Sequence, residues 1–306
     1  MTRFVLNRLL WFVPTLLAIY TISFALLRAA PGKPFEQEKS ITPEVRRQLE
    51  HQYYLDRGPV AAYLLTLRDL VTLRGQQSMS YRDMNVIHDI LGPAFPVSLG
   101  LGLLALTISV AGGLLVGIYS AVRRYSFLDH LFTGAALLGI SLPSFVIAWL
   151  LMFVFCFCLA WLPAGGWGRW TQLVLPAVAL AAFPLAYIAR LTRNSMLDVL
   201  PADFIRTAQA KGLAPAEVIF FHGLKNAFLP VLSYLGPAAA AIFTGSFVVE
   251  RIFAIPGVGY HFVQSALNRD YPLILAAVML YSALLILMNL LVDVGYAWLD
   301  PRIRYD

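Results

Sequence analysis

Six stretches of this chain are each long and apolar enough to cross a lipid bilayer, and that property constrains everything else about it. A crossing helix needs about 20 apolar residues, and residues 9–27, 90–122, 131–162, 171–189, 227–249 and 271–292 supply them. Only 13% of the residues are charged, against about 25% in soluble domains, and the mean hydropathy is +0.71. A soluble core cannot hide that much apolar surface, whereas a bilayer can. The fold class expected is therefore all-α integral membrane, with six transmembrane helices. The 131–162 stretch exceeds one crossing, so it is expected to tilt or to end in an interfacial piece. Arg3 and Arg8 precede the first stretch as in a secretory signal. It is longer than a signal's apolar core, however, and LLRAAPG offers no A-x-A cleavage site, so it reads as a retained span.

The short loops set the orientation. With the N-terminus inside, the cytoplasmic side holds Arg3, Arg8, Arg123, Arg124, Arg190, Arg193, Arg206, Lys211, Lys225, Arg302 and Arg304, and the opposite short loops hold Arg169, Arg251 and Arg269. Cytoplasmic loops carry the excess of Lys and Arg, so both termini are expected inside a bacterial cytoplasmic (inner) membrane. The same excess explains the net charge of +6 without nucleic acid as a partner. Residues 1–28 then hold the first span, and 29–96 form an outer-face insertion. Residues 97–306 form a five-helix core with an internal cytoplasmic loop at 194–226. In the insertion, Thr42 can cap a helix that has Pro43 at its first position, and PVAAYLLTLRDLV reads as a second helix. The insertion reads as a small cap over the membrane part, not a catalytic domain.

Glycine and proline recur inside the spans. Gly113 and Gly117 have small-xxx-small spacing, which allows backbones to approach, and ordinary close packing is the favoured reading over a dimer seam. Asp293 is the one acid near a span interior, and it reads as helix-terminal. Cys156 and Cys158 fall on different helix faces, and the five histidines make no metal-spaced pair, so no metal site is expected. No phosphate loop, H-E-x-x-H or G-x-S-x-G is present. If the chain performs uphill transport, the energy is expected to arrive from another protein.

The internal loop carries FIRTAQAKGL, residues 204–213. Asp203 is an expected N-cap and Gly212 an expected C′ terminator, bounding a helix of two turns. Thr207, Ala208 and Ala210 are small residues that a partner can approach, Arg206 and Lys211 supply charge at the rim, and Phe204 and Ile205 give a side that seats on the spans. Ala214 and Pro215 open the next helix, with Glu217 in its first turn. Two roles are open to the element: a knob for a partner's groove, or a basic connector lying on lipid headgroups. Its alanine and glycine content favours the knob.

RTAQAKGL followed by HGLKNAFLP resembles the cytoplasmic coupling loop of binding-protein-dependent ABC importer permeases, most closely their dipeptide and oligopeptide branch. Ala208 and Gly212 match the Glu-Ala-Ala, three residues, Gly pattern, with Arg206 and Thr207 standing where Glu and the first Ala would be. Asn226, Ala227, Leu229 and Pro230 match the peptide branch's N-A-x-L-P. FVLNRLLWFVPTLLAIYTISFALLRAAPGKPF, SLPSFVIAWLL, GSFVVERIFAIPGVGYHFVQSALNRDYPLI and LVDVGYAWLDPRIRY resemble other parts of that family in the same order.

The resemblance implies a non-catalytic permease subunit that forms half of a pore for peptides, most similar to the first permease subunit of an oligopeptide importer. Its implied partners are a second homologous permease subunit, two ATP-binding subunits at the cytoplasmic face, an extracytoplasmic peptide-binding protein and membrane lipid. ATP and Mg would be bound by the ATPase subunits and no cofactor by this chain. Arg206, Thr207, Ala208, Lys211 and Gly212 would form the ATPase-coupling element. Substrate-contacting residues are not assigned. Ser109, Ser141, Ser144, Ser233, Thr244, Ser246, Ser282 and Asn289 read as satisfied by their neighbours. GVGYHFVQSALNRDYP reads either as an amphipathic helix on the pore mouth that takes substrate from the binding protein or as a plain interfacial helix. Nickel, glutathione and sugar importers share the permease type. A secondary transporter or channel, a membrane enzyme and a non-transporting scaffold are the rival classes.

Overall fold

The computed structural model describes residues 2–31, 34, 42–73, 76–81 and 83–299, with the side chains of 2–7, 245 and 296–299 left aside. Gly32, Arg302, Arg304 and the side chain of Arg3, all invoked above, lie outside the described residues. The described residues are helical throughout, apart from turns and one isolated bridge between Gln77 and Asn85.

Five helical segments are long and apolar enough to span: Arg8–Ala29, Val86–Val122, Trp170–Val199, Leu229–Ile252 and Tyr271–Gly295. They belong to helices α1 (Thr2–Ala29), α4 (Gly92–Val122, entered through a π-helical turn at Val86–Leu91), α7 (Trp170–Val199), α11 (Leu229–Ile252) and α13 (Tyr271–Leu299). The remaining stretch is not one continuous helix. It is broken into α5 (Phe127–Ser141) and α6 (Ser144–Met152, continued by a π-helical turn at Phe153–Cys158), which meet at 113°. Pro143 causes the break. It has no N–H for the preceding helix, and it forces Leu142 into an extended conformation (φ −96°, ψ 130°) because its ring excludes the helical region for the residue before it.

The insertion folds as expected into α2 (Pro43–Gln52) and α3 (Pro59–Val71). Thr42 occupies the N-cap position, although its hydroxyl makes no capping bond. The insertion is fastened to α1: the buried Tyr20 hydroxyl donates to the Tyr63 carbonyl (2.9 Å), and Arg28 Nη2 donates to the Tyr54 carbonyl (2.9 Å). At the opposite end of the bundle Arg8 and Asp293 pair at 2.9 Å, joining α1 to α13.

The tightest packing in the bundle is α4 against α7. A Cβ on Gly113 would lie 2.6 Å from Ile188 Cγ2, and one on Gly117 would lie 2.6 Å from the Ala189 carbonyl. Lipid offers no hydrophobic drive between helices, so close van der Waals approach is what holds them. The small-xxx-small pair is an internal seam. Two apolar clusters flank it, one around Leu101, Leu175, Ile242 and Ile255, the other around Phe243, Leu273, Val258 and Leu284.

Candidate functional site: the loop element between α7 and α11

The fourth span ends where its apolar residues end, but its helix does not. α7 carries Arg190 and Arg193 and runs on to Val199, because RLTRNSMLDV contains no helix breaker before Pro201. After that turn comes α8 (Asp203–Ala210). Asp203 is not its N-cap as the sequence suggested. Ala202 holds that position with no capping side chain, and Asp203 is the first helical residue, where its negative charge still favours the positive helix end. The C-terminus closes as expected. Gly212 has φ +80°, its N–H bonds to the Gln209 carbonyl (2.9 Å) and the Leu213 N–H reaches the Ala208 carbonyl (3.4 Å). That pair of bonds is a Schellman motif.

α8 has one seated side and one open side. Ile205 and Ala208 are buried and pack with Val218 and with Val199 at the end of α7. Burying Ile205 alone stabilises the seat by about 1.5–3 kcal/mol. Phe204, expected to seat, is instead half exposed. Ala208, expected to face a partner, belongs to the seat. Arg206, Thr207, Ala210, Lys211 and Gly212 are exposed. Arg206 lies 3.8 Å from Asp203, but both side chains are in solvent, and such a pair contributes little. Thr207 donates to the Asp203 carbonyl within the helix (2.8 Å).

The next helix begins at Pro215, with Glu217 Oε2 accepting from the Ala214 N–H (3.2 Å). It continues as α9 (Pro215–Glu217), a π-helical turn at Val218–Gly223 and α10 (Leu224–Ala227), then enters α11 after Phe228. The seat of α8 is thus continuous with the bundle. Val199 belongs to α7 and Val218 leads to α11, while Met196 of α7, Ala227 of α10 and Ile118 of α4 pack in one cluster. Packed side chains therefore join α8 to α7 and, through Met196 and Ile118, to α4, while the chain itself leads from Val218 to α11.

Four of the eight polar residues named inside the spans bond to nearby backbone. Ser109 donates to the Ala105 and Ala181 carbonyls, Ser233 to Leu229, Thr244 to Ala240 and Ser246 to Phe243.

The count of one acid near a span interior needs correction. Glu250 is fully buried at the end of α11, and Asp129 is buried in α5. Asp129 accepts two bonds from Arg193 of α7, 2.8 Å from Nε and 3.0 Å from Nη2, and one from the Tyr125 N–H at 3.0 Å. Each acid lies one or two residues outside an apolar window, so a hydropathy reading drops it. Asp129 does carry a local signal, since it stands three residues after the capping Ser126.

The architecture is that of a polytopic α-helical membrane protein with the short helix α8 seated at one end. The profile of the family described as "Binding-protein-dependent transport system inner membrane component" matches residues 113–305. The chain is 46% identical over its full length to an oligopeptide transport system permease protein of Salmonella typhimurium, and 45% to its counterpart in Escherichia coli K12, each relative also being covered in full. It is 44% identical to a dipeptide transport system permease protein of Bacillus subtilis, over 99% of this chain and 98% of that one. A crystal structure of an amino acid ABC transporter shares the fold, with a TM-score of 0.50 and 20% identity, covering 66% of this chain and 91% of that chain. The chain therefore belongs to the binding-protein-dependent transport system inner-membrane components.

Proposed function

We propose that this chain is one of two permease subunits of an ATP-driven peptide importer, forming half of the translocation pore. The observation that carries this reading is its end-to-end identity of about 45% with permease proteins named for oligopeptide transport. Both termini and α8 lie in the cytoplasm in this reading, which the cation bias of the short loops supports. α8 then docks on a separate ATP-binding subunit through Arg206, Thr207, Lys211 and Gly212, while Ile205 and Ala208 hold it to the bundle. Closure of two such subunits on ATP and Mg moves α8 as a rigid lever, and α7 and α11 carry the motion to the pore as hinge or shear. A binding protein delivers peptide at the insertion end.

Reconstitution of this chain into liposomes with a second permease subunit, the ATPase subunits and the binding protein tests the reading. Uptake of a labelled pentapeptide is expected to require ATP and the binding protein, and to be competed by unlabelled peptide. Uptake that persists without the ATPases would mark a secondary transporter instead. ATP-driven uptake of a non-peptide alone would replace the substrate.

A further inference from the structure

α12 (Val258–Asn268) bridges α11 and α13 at the insertion end. It hangs between two left-handed corners, Ala254 (φ 50°) and Arg269 (φ 56°), conformations that non-glycine residues adopt only where surrounding contacts hold them. One carboxyl group stands at the start of the helix between them. Glu250 is fully buried, and its Oε2 accepts from the Tyr260 N–H at 3.2 Å. Ser98 Oγ, from α4, accepts from the Val258 N–H at 2.8 Å. The first turn of α12 is therefore capped from outside its own segment, by one side chain of α11 and one of α4. A carboxyl oxygen at a helix N-terminus meets N–H groups that have no partner within the helix.

The backbone is shaped around that carboxyl. A Cβ on Gly259 would stand 2.9 Å from Glu250 Oε2 and 2.7 Å from Phe247 Cα, and one on Gly257 would collide with both Glu250 Oε2 and Ser98 Oγ. Phe247 packs against Phe262 of α12 with the rings tilted (4.8 Å), and Arg251 lies over the Tyr260 ring (4.9 Å). Among the described residues Glu250 Oε1 has no hydrogen-bond partner.

We infer that Glu250 is a positioning residue for transport: it fastens α12 to α4 and α11 in one position on which uptake depends. The inference rests on the permease reading above. It assigns Glu250 no contact with the transported molecule.

The test uses the whole reconstituted transporter. Spin labels replace Leu267 on α12, which is largely exposed, and Leu103 on α4, with Cys156 and Cys158 changed to Ala. The parent is expected to give one narrow label-to-label distance without nucleotide. Glu250→Ala is expected to broaden it or add a second population, and to lower peptide uptake about tenfold, the scale of one lost hydrogen bond. Glu250→Gln keeps an acceptor oxygen and is expected to fall between the two on both readouts. Ser98→Ala and Gly259→Ala disturb the same attachment from its other sides and serve if Glu250→Ala fails to assemble.

An unchanged distance in these variants overturns the inference, whatever happens to uptake. So does a changed distance with parental uptake, or a Glu250→Gln as defective as Glu250→Ala. If the parent itself takes up no peptide, the permease reading fails, while the distance comparison still reports on Glu250.

Discussion

Arg193 grips Asp129 with two roughly parallel hydrogen bonds, of 2.8 and 3.0 Å, across 64 residues of sequence. The pair joins the start of α5 to the last third of α7, on the side of the bundle where α8 is attached. The Asp129 side chain is 3% exposed and that of Arg193 24%, so water does little to screen the pair. Removing one partner of a buried pair leaves a stranded charge, at about 3–5 kcal/mol. Arg193→Ala is therefore expected to lower the thermal unfolding midpoint in detergent sharply. Arg193→Lys keeps the charge but loses the planar fork, so an intermediate midpoint is expected. A parental midpoint for Arg193→Ala would mean the pair holds nothing together.

The seated and open sides of α8 predict opposite phenotypes. Arg206→Glu combined with Lys211→Glu changes only exposed groups, so stability is expected within about 0.5 kcal/mol of the parent. Recovery of the ATPase subunits on co-purification, and with it peptide uptake, is expected to fall about tenfold, since reversing charges at an interface costs affinity. Ala208→Glu forces a charge into the Ile205–Val218 contact and is expected to lose stability as well as uptake. Full uptake by the double charge reversal would remove the docking role of this face.

Gly212 separates shape from bulk. Nothing lies within 4 Å of where its Cβ would be, so a side chain meets no obstacle there. The φ of +80° is the obstacle, at about 1–2 kcal/mol for an ordinary residue. Gly212→Val is expected to fray the end of α8 and reduce coupled uptake, and Gly212→Asn, which tolerates this conformation, to retain most of it. Equal uptake in both variants would show that the Schellman turn does not matter for coupling.

These cases also mark what the sequence could disclose. The crossings, the two insertion helices, the loop helix and its glycine stop follow from local signals: apolar run length, Pro after Thr42 or Gly58, and Gly212 after Lys211. The seat of α8 is harder to see, because eight residues make only two turns. Ala208 looks equally suited to a partner or to a core until Val199 and Val218 are placed beside it. Glu250 and the ion pair of Asp129 escape for another reason, although the cap at Ser126 points to Asp129 itself. Their partners, Ser98, Tyr260 and Arg193, are set by how helices pack, and a hydropathy window treats an acid at its edge as a boundary. The break at Leu142–Pro143 had its cause in plain view, but proline is common in membrane helices and only packing decides whether it bends or breaks one.

His261 gives the insertion end a pH dependence. It lies on α12 between the rings of Tyr81 (5.7 Å) and Tyr260 (5.6 Å), with Arg251 over Tyr260 and Glu250 at the Tyr260 N–H. Burial holds its pKa below the ordinary 6.5, because desolvation disfavours the imidazolium. In the pH range between the folded and unfolded values the unfolded chain binds more protons, so stability rises with pH there. The contribution is complete above about pH 6.5 and is lost as pH falls through the depressed folded value. The unfolding midpoint of the parent is expected to drop more steeply below that pH than the midpoint of His261→Phe. Superimposable profiles would exclude His261 as the source.

Gly117 tests whether the α4–α7 seam is as close as it stands. Its Cβ position lies 2.5 Å from Thr192 Cβ and 2.6 Å from the Ala189 carbonyl oxygen. The carbonyl is helix backbone and cannot turn aside, so one added methyl group must push two spans apart. Overpacking of this kind costs about 1–3 kcal/mol. Gly134 on α5 is the control, since nothing lies within 4 Å of its Cβ position, and Ala there gains helix propensity of up to about 1 kcal/mol. Gly117→Ala is expected to lower the thermal midpoint and Gly134→Ala to leave it equal or higher. The loss should extend to uptake, because α7 and α4 share the cluster of Met196 and Ile118 through which α8 is attached. If both alanine variants behaved alike, the two helices would have to stand farther apart than the Gly117–Ala189 contact allows.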